Sequence, residues 1–194
     1  MPPRFDDAAL ARLGELLAKR PAMEIDAPKL KRAAVLIPLV RDQAGGWSLL
    51  FSRRSDQLQA HSGQIAFPGG GVEAGETLAA AVVRETQEEV GIPAAGIELI
   101  GRLDDLITNS GFLVAPFAGL VREKIDYVLQ ESEVVEVFEV PLDALLDPAL
   151  PQVRYVTFRN RRYPAYFYPY GRFEIWGLTG RVLKSFLDLV WLAI

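Results

Sequence analysis

GGVEAGETLAAAVVRETQEEVGI, residues 70–92, is the stretch that decides the reading of the whole chain. Paired glycines open it, an alanine- and valine-rich run follows, and Gly91 with Pro93 closes it. Alanine favours helix strongly, so the run predicts a helix of roughly Thr77 to Val90, stopped at Gly91. Glu85, Glu88 and Glu89 fall at i, i+3 and i+4 and so gather on one side of it. Leu78, Val82, Thr86 and Val90 step along a neighbouring stripe that can bury. Three acids so close repel one another unless positive charge sits among them. Hard divalent cations take oxygen ligands and remove that penalty. Clustered glutamates on a solvated helix face are the plain alternative.

Spelled with wildcards, the stretch is Gly70, five residues, Glu76, seven residues, then Arg84-Glu85-Thr86-x-Glu88-Glu89-x-Gly91-Ile92. It resembles the Nudix box, GX5EX7REUXEEXGU, where U is a bulky aliphatic. Thr86 is the one soft departure. The resemblance implies metal-dependent hydrolysis of a diphosphate, with Mg²⁺ or Mn²⁺ held by Glu85 and Glu89. Glu88 completes the acidic set, and the glycine turn adds a main-chain carbonyl around Gly69 or Gly70. Arg84 can pair with Glu88 one turn on and fix its rotamer. Glu76 sits at the helix entry, where a carboxylate suits the dipole, and reads as a structural or secondary contact. For a general base, Glu131 and Glu133 are candidates, with solvated loop acids as the alternative.

Immediately upstream, residues 49–70 read LLFSRRSDQLQAHSGQIAFPGG. This is similar to the signature of the coenzyme A pyrophosphatase branch of the Nudix hydrolases, LLTxRSxxLRxHxGQVAFPGG. Arg54, Ser55, Leu58, His61, Gly63 and Gln64 match. Ser52 replaces the threonine, Ile65 the valine, and Gln59 stands where arginine is common. Further likeness lies in residues 136–142 and in Ile175-Trp176-Gly177-Leu178-Thr179. The implied substrate is coenzyme A or its esters, cleaved to 3′,5′-ADP and 4′-phosphopantetheine. Arg53, Arg54, Ser55, His61 and Gln64 are the candidate substrate contacts, guanidinium groups being well suited to phosphate. Arg159, Arg161 and Arg162 form a second basic patch, or simply a solvated hairpin tip. Alternatives are a Nudix hydrolase of ADP-ribose or NADH, and a non-catalytic nucleotide-binding module.

The rest of the chain sets bounds. Its 194 residues suit one domain, with residues 1–31 as a helical extension and 32–194 as the Nudix core. Half the residues are hydrophobic and 24% are charged, as in a globular protein. A net charge of -4 gives no general pull toward nucleic acid or anionic membranes, and no partner beyond a small-molecule substrate is expected. With no cysteine, disulfides and thiolate metal sites are excluded. No signal peptide or membrane span is legible, so a cytoplasmic setting is expected. Oligomeric state is not legible.

Apolar spacing predicts an N-terminal helix over Asp6 to Lys19 and a final one over Leu178 to Leu192. Strands are expected at Ala33–Val40, Trp47–Arg53, Ile97–Ile107, Phe112–Val121, Val134–Val140, Val153–Phe158 and Tyr163–Tyr168. Pro141 should open a short helix. Helices flanking a mixed sheet make an α+β chain, an α/β/α sandwich of the Nudix type with an added N-terminal helix.

Overall fold

Asp6 starts the first helix, its carboxylate accepting the Ala9 N–H at 2.9 Å. A computed structural model describes residues 4–42, 44–58, 62–122, 126–158 and 160–194. In chain order the elements are α1 (Asp7–Lys19), β1 (Lys31–Arg41), β2 (Trp47–Arg54), β3 (Ile65–Ala66) and β4 (Gly69–Gly71). Then come α2 (Leu78–Val90), β5 (Ile97–Arg102), β6 (Leu106–Ile107), β7 (Phe112–Val121), β8 (Val134–Pro141) and α3 (Leu142–Leu145). The chain finishes with β9 (Gln152–Phe158), β10 (Arg161–Tyr170), β11 (Phe173–Ile175) and α4 (Gly177–Ala193).

The main sheet runs β3-β2-β1-β7-β5, with β4 joined to β1, β6 to β7 and β8 to β2. Among the described residues only β1 and β7 are parallel, in register from Lys31–Phe112 to Leu39–Leu120; the other pairs are antiparallel. One edge of β1 serves two strands. Its Leu39–Arg41 end pairs with β2, and its Ala33–Val35 end pairs with the glycines of β4. Beyond Leu49 that edge of β2 pairs with β3, while its other edge pairs with β8 from Ser48 to Arg54, with a register slip between Arg53 and Arg54. There β8 carries one extra residue, Val135, a bulge that bends and twists the strand locally.

Alternation along β1 sorts the core. Ala34 and Leu36 pack with Val82 of α2, while Ile37 and Leu39 join the cluster that holds α1 and α4. So α2 covers one face of the sheet and α1 with α4 the other. Ala9, Leu13 and Leu17 carry α1 into that second cluster beside Val182, Leu183 and Phe186. The N-terminal helix therefore lies across the sheet from α2, not over it. A separate antiparallel sheet, β9-β10-β11, packs against α4 through β10. This is the α+β sandwich with a mixed sheet and an N-terminal helix that the sequence predicts. No helix of the described residues is long and apolar enough to cross a membrane.

Three local expectations need correction. The strand expected over Ile97–Ile107 is two, β5 and β6. Asp105 turns inward between them, nearly buried, and accepts from the Ile25 N–H at 3.0 Å and from Arg102. The glycine turn at Gly69–Gly71 is a short strand, because its backbone pairs with β1. Pro141 caps the short helix rather than occupying its first turn.

Two outcomes follow for stability. Leu13 is fully buried, so Leu13→Ala should cost about 2–5 kcal/mol in denaturant unfolding. Asp104 ties the segment after α1 to the sheet by accepting from the Met23 N–H at 2.7 Å and from Arg20. Burial raises its carboxyl pKa, but these two donors outweigh it and the net shift is downward from 3.8. Its contribution is then complete above the ordinary Asp value and is lost as pH falls through the lower folded-state value. The gap in Tm between wild type and Asp104→Asn should narrow on going from about pH 6 to about pH 3. A constant gap would remove the charge from the account.

Candidate active site

Thr77 caps α2 through its hydroxyl, which accepts the Ala80 N–H at 3.1 Å. Gly91 ends the helix in the left-handed region, φ 76°, as the alanine-rich run and its glycine stop require. The stripe expected to bury does so at Val82, Thr86 and Val90, while Leu78 is half-buried. Thr86, small where an aliphatic is usual, donates its hydroxyl to the Val82 carbonyl at 2.7 Å and is fully buried. Its polar atom is thereby satisfied inside the helix.

The acids do not share one environment. Glu89 is 3% exposed and its Oε2 accepts the Gly69 N–H at 2.9 Å. Burial pushes its carboxyl up to about 7; the Gly69 N–H and Arg54 oppose this, while Glu133 and Glu85 add to it. The Arg54 guanidinium stands 3.7 Å from Glu89 Oε1. Glu85 is also raised, by burial first, against the pull of Arg84. Its carboxylate lies directly over Gly70, where a Cβ would come within 2.5 Å of it. Glu88 is largely exposed.

Arg84 makes more contacts than the expected pairing with Glu88. Its Nε and Nη2 donate to the two oxygens of Glu76 at 2.9 and 3.0 Å. Nη1 donates to Glu85 and Glu88, each at 3.0 Å, and Nη2 to the Gly71 carbonyl at 3.0 Å. Glu76 thus fixes the arginine that fixes the acids, and its own carboxyl is held below the usual range by Arg84 and by the Glu73 N–H. Spacing along the helix reveals the Glu88 contact. The Glu76 contact comes from the loop before the cap, which no helical periodicity shows.

Among the described residues no three acids stand close enough to enclose a cation as they lie. The donor set still fits one. It is all oxygen, it includes a buried carboxylate only partly compensated, and the strand beneath Glu85 has no side chain to obstruct it. Arg54 adds a buried Nε with no hydrogen-bond partner among the described residues, beside Glu89. Glu133 is half-buried and near enough to raise both Glu85 and Glu89, whereas Glu131 is exposed.

The upstream candidates separate. Arg54 faces the acid helix. Arg53 turns elsewhere, its Nη2 donating to Asp56 Oδ2 at 2.7 Å. Ser55 is buried, its N–H donating to the Glu133 carbonyl at 2.8 Å and its hydroxyl accepting from the Gln57 N–H at 3.3 Å. Those bonds order the turn after β2 and bring Glu133 to the site. The Gln64 carbonyl accepts from the Arg54 N–H at 3.0 Å. His61 and Gln59 lie outside the described residues, as does Arg159. Arg161 and Arg162 are exposed at the start of β10, in the second sheet.

The profile of the NUDIX domain matches residues 30–160. Over 167 residues the chain is 36% identical to a protein of Enterobacter sp. (strain 638) called "Uncharacterized Nudix hydrolase NudL", covering 86% of each. A Salmonella typhimurium relative of the same name is 37% identical over the same share. Among solved structures, a MutT/nudix family protein from Enterococcus faecalis aligns with TM-score 0.52 and 16% identity, covering 96% of this chain and 76% of that one. A Nudix hydrolase from M. smegmatis, RenU, aligns with TM-score 0.51 and 23% identity over 60% and 74%. Those two structural likenesses concern the fold.

Gly69 offers the sharpest test of this geometry. With φ at 147° and a Cβ that would sit 2.3 Å from the Ala34 carbonyl oxygen, it admits no side chain. Gly69→Ala should destabilise the fold by about 1–3 kcal/mol in chemical unfolding, since β4 must leave β1.

Proposed function

The chain belongs to the Nudix hydrolase family, and on that premise we propose that it hydrolyses the diphosphate of coenzyme A and its esters. The products are 3′,5′-ADP and 4′-phosphopantetheine. The observation that carries this reading is the meeting of two stretches: Arg54, from the segment resembling the coenzyme A pyrophosphatase signature, stands beside Glu89 of the Nudix helix.

Glu85, Glu88 and Glu89, with the Gly70 carbonyl, would hold Mg²⁺ or Mn²⁺. Such an ion, when bound, neutralises diphosphate charge and lowers the pKa of a bound water. The chain's own groups do the positioning. Gly69 N–H holds the Glu89 carboxylate against β4. Arg84, locked by Glu76, holds Glu85 and Glu88 in place. Arg54, its side chain partly exposed beside Glu89, offers its guanidinium to a phosphate oxygen, a charge-assisted bond of the strong kind. A Glu133 carboxylate oxygen takes the proton of the attacking water; of the two loop acids it is the one beside Glu85 and Glu89. One phosphoanhydride P–O bond breaks, and the water oxygen stays on one of the two phosphates released.

The test is turnover of coenzyme A in ¹⁸O-labelled water with Mg²⁺ or Mn²⁺, compared by kcat/KM with ADP-ribose and NADH. Coenzyme A should lead the panel and label should appear on one product only. Preference for another diphosphate would move the specificity elsewhere in the family. Glu89→Gln should lower kcat by about 100-fold or more with the unfolding transition retained, a larger loss than that of an outer-shell partner. Unchanged turnover in that variant would remove Glu89 from the ligand set.

A further inference from the structure

Across β2 from the acid helix lies an open cavity of about 570 Å³ that the reaction as described does not use. That volume falls in the range of roughly 300–1,000 Å³ common for small-molecule sites. Its walls include Arg53, Gln64, Glu136, Arg172, Phe173 and Trp176. Arg53 and Arg54 are consecutive, about 3.8 Å apart at Cα, yet face different partners. Arg54 reaches Glu89 and Arg53 the cavity.

The lining is charged but balanced. Arg53 is paired with Asp56 at 2.7 Å, Arg172 with Glu136, and Glu174 with Arg154 at 2.7 Å. A phosphate entering here would compete with a carboxylate for each cation, and an ammonium would compete with an arginine for each acid. Two aromatic rings supply flat apolar surface. Phe173 is stacked on Phe138 with centroids 3.8 Å apart, and Trp176 lies parallel to Phe167 at 5.4 Å while remaining 39% exposed. Together these ask for an uncharged ligand with hydrogen-bonding groups spaced along an apolar chain.

We propose that this cavity seats the neutral, amide-bearing arm of the substrate, the pantetheine portion, while the diphosphate lies at Arg54 and α2. The inference rests on the coenzyme A reading for its choice of arm. It reassigns Arg53: with its charge met by Asp56, it shapes the wall of the arm site and does not grip phosphate. Gln64, which lines the cavity and accepts the Arg54 N–H through its main-chain carbonyl, then joins the reacting centre to the arm site.

Pantetheine, which has no phosphate, is the probe. It should bind the wild-type protein in calorimetric titration and compete with coenzyme A. Trp176→Ala should weaken that binding about tenfold or more, and Trp176→Phe, which keeps a stacking ring, should retain most of it. The Ala variant should raise KM for coenzyme A by a similar factor, leave kcat within about twofold, and leave kcat/KM for ADP-ribose unchanged. Ser62→Phe, an exposed position on the rim, should do the same by narrowing the cavity, and serves if the tryptophan variant fails to fold. Should coenzyme A be hydrolysed while pantetheine neither binds nor competes, the arm site is wrong and the functional reading stands. Trp176-dependent pantetheine binding without coenzyme A turnover has the reverse meaning. Equal losses on coenzyme A and ADP-ribose would mark Trp176 as structural and overturn the assignment.

Discussion

A carboxylate buried against a strand with no side chains is the constraint around which this molecule is arranged. Glu89 can sit at 3% exposure only because Gly69 presents a bare N–H to it and β4 runs close to β1. An ionised carboxylate out of water is costly unless hydrogen-bonded or paired. Here one main-chain donor and one arginine at 3.7 Å offset part of that cost, and burial, with Glu133 and Glu85 adding to it, still leaves the carboxyl pKa raised. The glycines are required for close approach on two sides, Gly69 by the backbone of β1 at Ala34 and Gly70 by the Glu85 carboxylate above it, and are not a loose connector.

Arg84 handles the remaining repulsion. Five hydrogen bonds from one guanidinium reach Glu76, Glu85, Glu88 and the Gly71 carbonyl, so the loop, the helix and the glycine strand share a single cation. A lysine could not reproduce that fork, having one compact charge in place of a planar set of donors. The arginine pKa is raised in consequence, chiefly by Glu76, and it stays charged at any working pH. The geometry makes Glu76 the anchor of the arrangement and the helical acids its dependents.

Much of this is legible in the sequence. Periodicity found α1, α2 and α4 because each buries one stripe, and the spacing of Glu85, Glu88 and Glu89 put them on one side of α2. What sequence missed was set by distant partners. β4 looked like a turn because glycine has low strand propensity, yet Ala33–Val35 supply the pairing that makes it a strand. The split of β5 from β6 depends on Asp105 finding Ile25, eighty residues earlier in the chain. Arg53 and Arg54 looked equivalent beside the glycines, and only the alternation of β2 shows that they serve different sides. The cavity draws Arg172 and Trp176 to Gln64 from more than a hundred residues away, and sequence shows its parts only as separate resemblances, around Gln64, from Glu136 and from Ile175 to Thr179.

The extra residue in β8 opposite Arg53 and Arg54 has a bearing beyond local shape. It lies where alternation along β2 presents two neighbouring side chains to separate compartments, one floored by the helix acids and one walled by β11. Substitutions in the second compartment need not disturb the first, since among the described residues no ion pair bridges them. Divergence among descendants of such a scaffold can thus retune what is recognised while the bond-breaking apparatus is inherited intact.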